Sequence, residues 1–73
     1  MAGEHDMDIR AEIVALLMED IERSRFPSAT MLDMVEQLAD QQEREEYARV
    51  LLDKLRSSRY PSIPMTRRLL ALA

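Results

Sequence analysis

The chain has 73 residues, no cysteine, no tryptophan and a single glycine, Gly3. That length allows one small domain with a thin core, and the missing cysteines exclude disulfides and thiolate metal sites. The formal net charge of −4 argues against a general nucleic-acid binder. It is also unevenly placed: residues 1–46 hold thirteen acidic and four basic groups, whereas residues 47–73 hold one acidic group, Asp53, and six basic ones.

Residues 1–7 show no apolar period and read as an N-terminal tail, acidic and polar rather than a secretory leader. From Asp8 the pattern turns helical. Ile9, Ile13, Leu16, Leu17 and Ile21 recur at steps of three and four, which predicts the buried face of a first helix running from Ile9 to about Arg25. Asp8 is placed to cap it, and Arg10, Glu12, Glu19, Asp20 and Glu22 fall mostly on the other face. Pro27 stops it, because the residue before a proline is pushed out of the helical region. Phe26 is expected to close the end of that helix.

Ser28 follows as an N-cap, and Met31, Leu32, Val35 and Leu38 predict a second apolar stripe ending near Ala39. Asp40 with Glu43 reads as a variant capping box opening a third helix. The stretch "QQEREEY" contains no Gly or Pro, which favours helix there over loop. Tyr47, Val50, Leu51, Leu55 and in part Leu52 predict its buried face, and Pro61 stops it. Ser62 caps a fourth helix with Pro64 in its first turn, where a missing N–H costs little. Met65, Leu69 and Leu72 are expected to face inward. No stretch alternates as a strand would, and no apolar run is long enough to span a membrane.

The pentapeptide "SRFPS" at residues 24–28 returns as "SRYPS" at residues 58–62, an offset of 34. At that offset Leu17 falls on Leu51, Ile21 on Leu55, Met31 on Met65, Val35 on Leu69 and Leu38 on Leu72. The repeated unit is therefore a helix–corner–helix hairpin. The expected fold is all-α: a single four-helix domain over residues 8–73 built from two similar αα-hairpins, 8–39 and 40–73. Tetratricopeptide repeats share the period of 34. They differ in the residues, because the small residues of that family's helix crossing are absent here and the proline lies inside the hairpin.

The phrases "FPSATMLDMVEQL" and "VLLDKLRSSRYPSIPM" resemble small uncharacterised helical proteins of actinobacteria. The resemblance covers most of the chain and implies no activity.

No catalytic constellation is present. The only histidine, His5, lies in the tail, and no serine has a histidine partner in a fixed element. Neither "DMDIRAEI" nor "DQQEREEYARVL" supplies the alternating oxygens, central Gly and closing Glu of a calcium loop. No cofactor or metal is expected, and no enzyme. Arg25 and Arg59 beside the serine caps suggest anion sites, but an Arg at a helix C-terminus is also what the helix dipole favours. An Arg three residues before Ser28 and Ser62 is a short kinase-like signal. Met18, Met31 and Met65 read as core fillers. Met34 lies off its helix's stripe, and with Leu32 and Leu52 it is expected to form an exposed apolar patch for a partner, with Arg59, Arg67 and Arg68 beside it.

The reading is a cytoplasmic, non-enzymatic protein–protein interaction module, an adaptor or regulator. A weak homodimer is part of that reading, acidic face on basic face, and no membrane is. The alternative is a small nucleic-acid-associated regulator using Arg56, Arg59, Arg67 and Arg68 on the basic C-terminal hairpin.

Overall fold

The structure, a computed structural model, describes residues 8–58 and 62–73. The tail with His5, and the corner residues Arg59, Tyr60 and Pro61, lie outside the described residues. Among these residues four helices follow in chain order: α1 (Ile9–Arg23), α2 (Ala29–Leu38), α3 (Gln41–Ser57) and α4 (Ile63–Leu72). No strand occurs among the described residues. The chain divides into two compact units, one closing at Asp40 and the next opening at Gln41. In the first, α1 packs on α2; in the second, α3 packs on α4.

Helix α1 starts where the Asp8 carboxylate accepts from the Ala11 N–H at 3.2 Å, satisfying one of the first-turn donors that no helical carbonyl reaches. It ends at Arg23, two residues before the expected Arg25. The Ser24 N–H still bonds the Asp20 carbonyl at 2.9 Å, but Ser24 itself is extended, with φ −83° and ψ 131°. Pro27 explains the earlier stop, since it has no N–H to offer the Arg23 carbonyl and its ring would collide with it.

The buried face of α1 differs from the expected one. Val14 and Ile21 are buried and Leu17 and Met18 half-buried, whereas Ile9, Ile13 and Leu16 lie exposed. The helix is rotated so that Arg10, expected on the polar side, is half-buried. Its guanidinium donates to the Leu38 carbonyl oxygen at 2.7 Å. Phe26 does not close the helix either: it is 83% exposed, with the Arg25 guanidinium 5.8 Å from its ring centroid. The ring gains from the cation above its face rather than from packing below.

Helix α2 is capped by Ser28, whose hydroxyl accepts from the Met31 N–H at 3.1 Å. Its inward stripe is Leu32 and Val35, buried, with Met31 and Leu38 half-buried and Ala39 buried just past its end. Leu32 is thus a core residue, only 5% exposed. It cannot belong to the exposed patch expected of it, because its position two helical turns before Ala39 and three residues before Val35 puts it on the packing face.

Only Ala39 and Asp40 separate α2 from α3, and "QQEREEY" is helical. Tyr47 and Leu51, one turn apart, are fully buried; Val50 and Leu55 are half-buried. At the far end the Ser57 hydroxyl shares its proton between the carbonyls of Asp53 at 3.0 Å and Lys54 at 3.2 Å, bonding back onto its own last turn. Helix α4 is capped by Ser62, which accepts from the Met65 N–H at 3.3 Å, with Pro64 in the first turn. Met65, Leu69 and Leu72 turn inward but are half-buried, and α4 has no fully buried residue.

Candidate functional site

A helix in a small helical unit needs one apolar stripe to pack, so a second stripe on the same helix is surplus to folding. Helix α1 has such a second stripe. Ile9, Ile13 and Leu16 stand at i, i+4 and i+7, which places them in one line, and they are 63%, 36% and 61% exposed. They lie about a third of a turn round the helix from the line of Val14, Leu17, Met18 and Ile21 that packs inward. Around the exposed line the helix carries Glu12, Glu19 and Asp20. Arg23 is drawn back onto Glu19, with 3.1 Å between guanidinium and carboxylate. Arg10 is held by the Leu38 carbonyl and lies 3.5 Å from Asp8 and 3.7 Å from Asp40. The outward face is therefore apolar along its centre, with Glu12 and Glu19 along one side and Asp20 one turn beyond Leu16.

The second unit carries a matching arrangement of opposite sign. On α4, Ile63, Arg67 and Leu70 also stand at i, i+4 and i+7, and all three are exposed. No acidic residue occurs in α4, whose two charges are Arg67 and Arg68.

The residues named from sequence are distributed as follows. Met34 and Leu52 are exposed, as expected, the first on α2 and the second on α3. Leu32 is buried. Arg67 is exposed, Arg68 is half-buried and engaged, and Arg59 lies outside the described residues. Arg56 is paired with Asp53 on its own helix, at 3.7 Å. The reading by residue type missed Ile9, Ile13 and Leu16 as surface because it assigned them to the core. Projecting α1 around its axis shows one broad apolar arc, from Leu16 through Ile13 and Leu17 to Met18, of which only one side packs inward.

One open cleft of about 300 Å³ lies in the second unit, lined by Gln41, Arg44, Glu45, Ala48 and Leu72. Its lining includes no serine, cysteine or histidine. Among the described residues, no three His, Cys, Asp or Glu side chains are grouped to hold a metal ion. The hydroxyls of Ser28 and Ser62 accept as caps, and the Arg25 guanidinium lies over the Phe26 ring.

No family model matches the chain, and neither curated proteins nor solved structures yield a match to it. Among the described residues, no helix is long and apolar enough to cross a membrane.

Proposed function

We propose that this chain is a non-enzymatic protein–protein interaction module, an adaptor or regulator, and that it docks its partner on the outward face of α1. The observation that carries this is the aligned, exposed set Ile9, Ile13 and Leu16 on a helix that already buries a separate stripe. Apolar side chains in register at one helical face give a partner helix anchors at the spacing it needs. Met34 and Leu52 are further exposed apolar contacts on their own units. The cysteine-free composition suits a cytoplasmic setting, and the resemblance to small actinobacterial helical proteins is compatible with such a role.

The module is read as a duplicated hairpin. The ends of the long helices, Arg23 and Ser57, are 34 residues apart. So are the starts and ends of the short ones, Ala29 with Ile63 and Leu38 with Leu72. Each serine cap accepts from the N–H three residues on, Met31 in one case and Met65 in the other. These correspondences support a duplication whose two copies have since diverged in burial.

Affinity purification from the native cell tests the function, with nuclease treatment and an Ile13→Asp/Leu16→Asp variant in parallel. A partner retained after nuclease and lost by the variant supports the reading. Equal capture by both proteins sinks it. The second reading, a nucleic-acid-associated regulator, draws on the exposed Arg67 and the basic excess of residues 47–73. Nuclease-sensitive capture that weakens steeply with salt would favour it.

A further inference from the structure

The two surplus helix faces are complementary. That of α1 offers Ile9, Ile13 and Leu16 with Glu12, Glu19 and Asp20 around them. That of α4 offers Ile63 and Leu70 at the same spacing, with Arg67 between them. Each line spans seven residues of rise, about 10 Å, so the two match in length. We infer that the occupant of the α1 face is the α4 face of a second copy of this chain, helix on helix. The inference rests on the α1 face being the docking surface.

The physical case has three parts. Ile63 and Leu70 can lie between Ile9, Ile13 and Leu16 as ridges enter grooves. The Arg67 stem covers apolar surface at the centre of the seam while its guanidinium reaches out to the acidic margin. Finally, the pairing is heterologous and self-selecting: α1 on α1 would set acidic margins together, and α4 on α4 would set Arg67 against Arg67. One such seam buries on the order of 700 Å², below the roughly 1,000 Å² of a stable specific interface, so the association is weak and reversible.

Pairing of α1 with α4 makes a prediction that neither α1-on-α1 nor α4-on-α4 pairing makes. Leu16→Asp removes the α1 face and leaves α4 intact; Leu70→Asp does the reverse. Both positions are exposed, and circular dichroism verifies that each variant keeps its helices. If either loses them, Ile9→Ser or Ile63→Ser replaces it. Sedimentation is followed at low and high salt, with concentrations rising to about 1 mM, where an association this weak becomes populated. The expected result is reversible self-association of the unmodified chain that fades as salt rises, and a single monomeric species for each variant alone. An equimolar mixture of the two variants recovers a two-chain complex, because one supplies α4 and the other α1.

A monomer at every concentration overturns the inference. So does self-association that survives Leu70→Asp, which would mean α1 pairing with α1, and so does a mixture that stays monomeric. If the chain is monomeric but Leu16→Asp loses a different protein captured from the cell, the docking surface stands and only its occupant was wrong. If Leu16→Asp changes neither, both readings fail together.

Discussion

The guanidinium of Arg10, one residue into α1, donates to the carbonyl oxygen of Leu38, the last residue of α2, at 2.7 Å. The two lie 28 residues apart. Helix α2 ends in Ala39 with φ −68° and ψ 138°, so it lacks the left-handed residue that would fold back onto its last carbonyls. A side chain from the neighbouring helix meets one of them instead, and a cation there also suits the negative end of the helix dipole. Replacing Arg10 with Met keeps the stem and removes the donor. The expected cost is about 1.5 kcal/mol, in the range of hydrogen bonds to charged groups, discounted for the partial exposure of Arg10. Urea denaturation measures it. An unchanged midpoint would mean that water serves the Leu38 carbonyl equally well.

The serine caps give a second prediction. Ser28→Ala and Ser62→Ala each remove an acceptor for a first-turn N–H, at Met31 and Met65 respectively. Each substitution is expected to cost about 1 kcal/mol. Replacement by Asp should retain most of the stability, since a carboxylate caps as well and is favoured at a helix N-terminus. Thermal melting of the four single variants tests both statements, and equal melting temperatures for Ala and Asp would refute the capping role.

The rotation of α1 is open to a direct comparison. Ile21 is fully buried, while Ile9 on the same helix is exposed. Ile21→Ala should cost about 3 kcal/mol through lost burial and the cavity left behind. Ile9→Ala should change stability by no more than about 0.5 kcal/mol. Similar losses at the two positions would show that both lines of α1 are packed in solution.

Tyr47 anchors the second unit. Helix α3 carries many charged side chains and buries only Tyr47 and Leu51 completely. Tyr47→Ala removes the largest of the fully buried side chains, which is expected to cost about 4 kcal/mol. That is comparable to the whole stability of a core this small. Circular dichroism should therefore show a loss of helix at room temperature, whereas Tyr47→Phe should stay folded. A folded Tyr47→Ala variant would mean that Leu51 and its half-buried neighbours suffice.

What could be read in the sequence follows the range of the interactions involved. The caps at Asp8, Ser28 and Ser62 depend on a side chain and a backbone group three residues away, and all three were legible. The helical state of "QQEREEY" was legible too, because nothing local opposes it. The orientation of α1 was not. Nine of its fifteen residues are apolar or alanine, so lines through Ile9 and through Val14 both satisfy the helical period. The choice is made by packing against α2, where Val14 and Ile21 are buried and Arg10 reaches the Leu38 carbonyl, contacts that no local window contains. Phe26 was misplaced for a related reason: beside a proline and after an arginine, its ring is served by Arg25 without entering the core. The candidate surface was legible at Met34 and Leu52 and hidden at Ile9, Ile13 and Leu16, since apolar residues at helical spacing read as core until a second line is seen to fill that role.

No described residue has a positive φ, and the sequence contains a single glycine. Average usage would place about five glycines in a chain of this length. Each glycine replaced at a position whose backbone any residue can adopt narrows the unfolded ensemble, by about 0.4–1 kcal/mol in stability. Across four such positions that amounts to about 2–4 kcal/mol, as much as a thin core contributes. Part of what holds this fold is therefore invisible among its contacts. It resides in the stiffness of the denatured chain, which has less disorder to surrender when the corners form.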